Sequence, residues 1–204
     1  MLKKKLFLTL SAVFLIIFIF LLSFHLFLYN KYFYDWQYEK NDVYETFGYE
    51  NTWNATHELW SYMKSNGEFY SDFFSEQDKL HMVDVKWLLN GIKYMFILSL
   101  VLVLLSFYYH KRNIASLLCY SSILSFIFIL IFAILSLFFE NSFIVFHKLF
   151  FNNDLWLMNP AVDKLVLLYP DNFFFTIFVF IIVTTLIFSF ILFVISVYFK
   201  KKHI

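Results

Sequence analysis

Two histidines carry most of the chemistry this sequence could perform. His81 and Asp84 stand three residues apart in FSEQDKLHMVDVKWLLN, residues 74–90, and His147 stands in FHKLFFNNDLW, residues 146–156. An imidazole near neutral pH can take a proton from one group and give it to another. A nearby carboxylate can hold it in one tautomer and stabilise its charged form. Asp154 and Asp163 add two more carboxylates to the segment that carries His147. Each feature also has an ordinary explanation. A His–Asp pair at i,i+3 commonly lies on a helix surface, and a histidine among aromatics is usually just packed there. No HExxH-like or CxxC spacing supports a metal site. The single cysteine, Cys119, excludes an internal disulfide and CxxC redox chemistry.

The elements that must position these residues are membrane spans. The 204-residue chain is 61% hydrophobic and 25% aromatic, with 31 Phe and only three Gly and two Pro. Its mean hydropathy is +0.69. A soluble core cannot hide that much apolar surface. Continuous apolar runs at about 6–28, 92–109, 114–139 and 173–199 are long enough to cross a bilayer as helices. They do not alternate as barrel strands would. The first run is too long for the core of a signal peptide, and no small-residue cleavage pattern follows it, so it is expected to remain as a span. Lys3–Lys5, Lys111-Arg112 and Lys200–Lys202 fall on one side of four spans, and every Asp and Glu falls on the other. The positive-inside rule then places both termini in the cytoplasm. The expectation is an all-α membrane protein, residues 1–204 forming one integral domain. Two outward loops, 29–91 and 140–172, would form a small outer cap. The spans contain almost nothing ionisable, which argues against a transporter. A net charge of +1 gives no sign of a nucleic-acid partner.

Chemistry is therefore sought in the two loops. The first is rich in Tyr and Trp, which favour the headgroup level or a lipid-contacting groove. Ser75-x-x-Asp78 predicts a helix start near Glu76, running without Pro into the second span. His81 would then sit about 16 Å along the helix from Ile92. His81, Asp84, Val85 and Leu88 share one face. In the second loop, Asn159-Pro160 predicts the start of a short helix ending by Pro170.

Two blocks resemble a known family, the four-span bacterial membrane family of the lipoprotein intramolecular transacylase Lit. FSEQDKLHMVDVKWLL resembles the family pattern F-S-x-x-E-x-x-H-[LM]-x-D-V-[KR]-x-L. FHKLFFNNDLWLMNPAVDKLVLLYP resembles F-H-x-x-F-F-x-x-x-x-W followed by D-x-L-[IV] and Y-P. The four-span layout and loop lengths agree over nearly the whole chain. One departure is the acid ahead of the histidine, which stands here as Asp78 or Glu76 according to register. The resemblance implies an acyltransferase without a cofactor or metal, located in the plasma membrane with its active site on the extracytoplasmic side. It would move the sn-2 acyl chain of a diacylglyceryl-cysteine lipoprotein to the N-terminal α-amino group, giving a lyso-form. His81 and His147 are then the catalytic candidates, with Asp84, Asp154, Trp156 and Asp163 in support. The expected partners are the diacylated lipoprotein and membrane lipids.

Two other classes compete with this reading. One is a non-catalytic partner or sensor protein with an outward aromatic domain. The other is a related lipid-modifying enzyme with a different substrate.

Overall fold

A computed structural model describes residues 2–202. Among them nine helices and no strands occur: α1 (Leu2–Leu28), α2 (Lys31–Lys40), α3 (Val43–Phe47), α4 (Tyr49–Lys64), α5 (Glu76–Tyr109), α6 (Ile114–Leu137), α7 (Phe139–Phe150), α8 (Leu165–Leu168) and α9 (Asp171–Lys202). Four of them, α1, α5, α6 and α9, are long and apolar enough to cross a membrane. With few glycines and prolines to break them, these runs satisfy every interior backbone group within the helix, as a bilayer requires. Contacts divide the chain into two compact units: 1–26, 91–138 and 178–204 in one, 27–90 and 139–177 in the other.

The first unit consists of parts of the four long helices. Leu15, Ile19, Val103 and Leu118 form its buried core, with Phe14, Phe18, Phe107, Phe188 and Leu192 packed around them. Small hydroxyl residues let helices approach and find partners. Thr185 donates to Ser23 at 3.1 Å, and Ser11 lies 3.3 Å from Nε2 of His110. Ser121, Ser122 and Ser125 each bond back to a carbonyl of their own helix, which removes the need for an outside partner.

The second unit is an aromatic domain built from the connecting segments. Asn30 caps α2 by accepting from the Phe33 amide at 3.1 Å. Gly48 supplies the positive φ of 77° that separates α3 from α4. The three short helices then share a core with the start of α5 and with residues 165–173. Its members include Tyr38, Trp53, Leu59, Tyr62, Met82, Leu168 and Phe173. The first long connection is thus a folded aromatic core, with Tyr34, Tyr38 and Trp53 buried in it.

Helix α5 begins where Ser75-x-x-Asp78 predicts. The Asp78 amide donates to Ser75 Oγ at 3.0 Å, and the Ser75 amide donates to Asp78 Oδ2 at 3.1 Å. This is a reciprocal capping box. The helix has 34 residues. At 1.5 Å per residue it is about 51 Å long, well beyond a hydrocarbon thickness of roughly 30 Å. Apart from Lys93, its charged residues all precede Asn90. The part suited to hydrocarbon is therefore the stretch from Ile92 onward, and His81 lies ahead of it. The expected helix at Asn159-Pro160 does not form. Asn159 instead closes a turn, donating its amide to Asp163 Oδ2 at 2.7 Å and accepting from the Asp163 amide at 2.8 Å. The short helix is only Leu165–Leu168.

The Tyr38 hydroxyl is wholly buried, 2.7 Å from Thr56 Oγ1 and 3.2 Å from the Tyr169 hydroxyl. Tyr38→Phe leaves the buried hydroxyls of Thr56 and Tyr169 without it. The expected loss is about 1–3 kcal/mol of stability, read as a lower unfolding midpoint in detergent. An unchanged midpoint contradicts this account of the core.

Candidate active site

His81 lies on α5 and His147 on α7, and both belong to the aromatic unit. Their rings are stacked at an angle of 26°, with centroids 6.1 Å apart. Each is almost fully buried, 6% exposed for His81 and 8% for His147. Phe151 touches both, with centroid distances of 5.2 Å to His81 and 5.5 Å to His147. Trp156 stacks on the His147 ring at 5.0 Å, and Phe143 packs against it at 4.2 Å. Helical spacing explains the local arrangement. Phe143 and His147 are four apart, so they share a face of α7, and the chain turns out of the helix right after Phe150 to bring Phe151 back over the pair.

The two imidazoles differ in their hydrogen bonding. His147 Nδ1 lies 2.8 Å from the carbonyl oxygen of Phe143. A carbonyl can only accept, so Nδ1 carries the proton and Nε2 of the neutral ring presents a lone pair. His81 is different: its Nδ1 is buried with no hydrogen-bond partner. Leaving a buried polar atom unpaired costs on the order of 1–3 kcal/mol, a cost expected at functional positions rather than in an ordinary core.

Burial also sets the proton affinities. Desolvation pushes His81 down to about 4 from 6.5, the neighbouring His147 pushes the same way, and Asp84 opposes them. His147 is lowered too, again chiefly by burial. Its bond to the Phe143 carbonyl and the charge of Asp171 oppose the shift. Both rings are consequently neutral at pH 7. Neither is a standing cation, and among the described residues no group of three or more His, Cys, Asp or Glu could hold a metal ion.

The supporting candidates divide into two groups. Asp84 and Trp156 are linked through Asn153, and Trp156 reaches the His147 ring. Asn153 donates from Nδ2 to Asp84 Oδ2 at 2.9 Å, and Trp156 donates from Nε1 to the Asn153 carbonyl at 3.0 Å. Asp154 is exposed and lines a hollow of about 180 Å³ with Lys148, Phe151, Asn152, Asn153 and Trp156. Asp163 goes elsewhere. It is buried and accepts from Ser75 Oγ at 2.7 Å as well as from the Asn159 amide. Its bonds therefore run to the start of α5 and not to the imidazoles.

Sequence reasoning passed over Asn153 and Phe151 as site residues, and it credited Asp78 only with a cap. Asp78 does more. Fully buried, its Oδ2 also takes the amides of Lys164 at 3.1 Å and Leu165 at 3.4 Å. The Ser75-x-x-Asp78 spacing announced the cap, but no pattern announced the second segment.

The fold and this site define a multi-pass membrane protein with a desolvated histidine pair in its aromatic unit. The sequence model of the family described as lipoprotein intramolecular transacylase Lit matches residues 9–174. The solved structure of the membrane-integral lipoprotein intramolecular transacylase Lit from Bacillus cereus superposes with a TM-score of 0.89 at 25% identity, covering 98% of this chain and 97% of that one. Two further structures of the Bacillus cereus protein, with a histidine replaced by arginine or by alanine, give TM-scores of 0.85 and 0.86 at the same identity. They cover 98% of this chain, and 93% and 95% of theirs. Comparison with curated protein sequences gives no significant match. The chain belongs to the lipoprotein intramolecular transacylase family, Lit.

The lowered proton affinity of His81 has a consequence for stability. Its folded value lies below that of a free imidazole, so proton uptake favours the unfolded chain. The stability that depends on neutral His81 is complete above about pH 6.5 and is lost as pH falls toward 4. Thermal unfolding between pH 7 and 4 should show His81→Phe losing less of its midpoint than the wild type. Parallel curves for the two proteins would exclude a depressed His81.

Proposed function

We propose that this protein transfers the sn-2 acyl chain of a diacylglyceryl-cysteine lipoprotein to the α-amino group of the same cysteine. The product is a lyso-form lipoprotein. The observation that carries this reading is the pair of buried neutral imidazoles, 6.1 Å apart, in a chain of the transacylase family. A histidine was also the residue replaced in two of the related Bacillus cereus structures.

The residues suit each step. The substrate's α-ammonium gives its proton to His147 Nε2, whose lone pair is kept available by the Nδ1–H bond to Phe143. The freed amine adds to the ester carbonyl carbon, forming the C–N bond. The carbonyl oxygen gains negative charge, and a neutral N–H of His81 donates to it. Collapse breaks the C–O bond to glycerol. The leaving oxygen takes the proton held by His147, and the nitrogen sheds its second one, so the amide, a free hydroxyl and one released proton result. Donor and acceptor belong to one molecule, so holding them close supplies much of the rate. No nucleophilic Ser or Cys is required. The aromatic walls exclude water, which would otherwise hydrolyse the ester.

Charge distribution supports a plasma-membrane location with both termini in the cytoplasm and the histidines on the extracytoplasmic side. Four spans in one integral domain, bounded near 6–28, 92–109, 114–139 and 173–199, accord with this topology.

The test is expression in a bacterial host whose lipoproteins are diacylated, followed by mass spectrometry of N-terminal lipopeptides. Wild type converts them to the N-acyl lyso-form. His81→Ala and His147→Ala, present in the membrane at wild-type levels, lower the conversion rate by about 10²- to 10⁴-fold each. Wild-type product from both variants refutes the histidine mechanism.

A further inference from the structure

Asp84 stands one helical turn after His81, where it is expected to orient that imidazole. The hydrogen bonds lead in another direction. His81 Nδ1 has no partner, and the Asp84 carboxylate is engaged by Asn153. Asn153 belongs to the loop after α7 and serves as its hub. Its side-chain Oδ1 accepts the Leu155 amide at 3.1 Å, and its backbone carbonyl accepts the Trp156 indole at 3.0 Å. Gln77, seven residues before Asp84 and so on the same side of α5, grips the loop further on. Its Nε2 donates to the carbonyls of Leu155 at 3.1 Å and Leu157 at 3.0 Å. The loop fixed in this way ends on the His147 ring, against which Trp156 lies stacked.

We propose that Asp84 is a positioning residue for His147: through Asn153 it fixes the 152–157 loop so that Trp156 is held flat against the base imidazole. The charge of Asp84 is secondary to its acceptor oxygen. Asn153 and Gln77 belong to the same clasp, and Trp156 is its working end. The clasp joins α5, which carries His81, to the loop that follows α7, the helix that carries His147. An ordered loop matters here because a stacked ring restrains the plane of the His147 imidazole. This role rests on the proposed transacylase reading only for its activity measurements.

Asp84→Asn decides between the two roles. It keeps an oxygen where Asn153 donates and removes the charge that would stabilise an imidazolium. Clasp function predicts that Asp84→Ala and Asn153→Ala each lower kcat about 10- to 100-fold with little change in KM. Their effects do not add in the double variant, because both break one bond. Asp84→Asn recovers to within about fivefold of wild type. The structural readout is the indole N–H resonance of Trp156, assigned by its disappearance in Trp156→Phe. It shifts in both alanine variants and returns toward its wild-type position in Asp84→Asn. Asp84→Asn as impaired as Asp84→Ala, or additive alanine effects, overturns the proposal, as does an indole resonance that ignores Asn153→Ala. The resonance reports on the clasp even where no lyso product forms, so a failure of the reaction and a failure of the clasp are told apart.

Discussion

The buried carboxylate of Asp78 is the contact on which the site's geometry depends. A single oxygen, Oδ2, accepts from the amides of Ser75, Lys164 and Leu165. Those amides are donors that a helix start or a turn leaves unpaired. One side chain therefore sets where α5 begins and holds the 159–165 turn against that beginning. Asp163 doubles the tie by accepting from Ser75 Oγ. Because helical register is fixed from the first turn, fixing Ser75 and Asp78 fixes which way His81 points three residues on. Desolvation raises the proton affinity of Asp78, against the pull of its three backbone bonds. The carboxylate is kept in place by amide donors rather than by an opposing charge, an arrangement that avoids placing a cation beside the imidazoles.

Desolvation is the second constraint, and it acts on both histidines in the same direction. Proton transfer at neutral pH needs a base that is unprotonated when substrate arrives. A free imidazole would be partly charged near its ordinary value of about 6.5. Packing the rings among Phe143, Phe151 and Trp156 removes that ambiguity. The same burial makes two imidazolium ions side by side prohibitive, so the pair can hold at most one extra proton cheaply. A pair limited to one extra proton would suit the proposed reaction, in which protons leave the attacking nitrogen and one reaches the leaving oxygen.

Much of this was legible in the chain. Continuous apolar runs declare spans because a bilayer demands long helices. Ser75-x-x-Asp78 declared the start of α5 because capping is a local matter. Histidines in charged or aromatic connecting segments stood out because the spans hold so few titratable groups. The parts that were not legible depend on contacts between distant segments. Asn159-Pro160 has the local signature of a helix start, yet the Asp163 carboxylate takes the Asn159 amide and closes a turn instead. Asp163 itself looked like support for the histidines, but its partner is Ser75, 88 residues away in sequence. Asn153 lies in the loop after α7. Its side chain becomes a hub only because Asp84 arrives from a different helix. Side-chain partners across 69 residues of chain leave no periodic trace.

The first connecting segment shows why an aromatic-rich stretch is ambiguous by composition alone. Ten Tyr and Trp residues between Tyr29 and Tyr62 could line a bilayer interface or build a core. In the fold part of the segment builds a core and part stays exposed. Tyr34, Tyr38, Trp53 and Tyr62 are buried, while Tyr32, Trp36 and Tyr49 are exposed. Edge-to-face contacts link the buried rings, as between Tyr34 and Trp60 at 5.0 Å or Tyr38 and Trp53 at 5.7 Å. Such rings bring large apolar area at a low conformational cost, and their hydroxyls can pair internally. A small unit made mostly of connecting segments has few other ways to become rigid. The proposed reaction would draw on that rigidity, since transfer within one bound molecule depends on geometry more than on the strength of any single group.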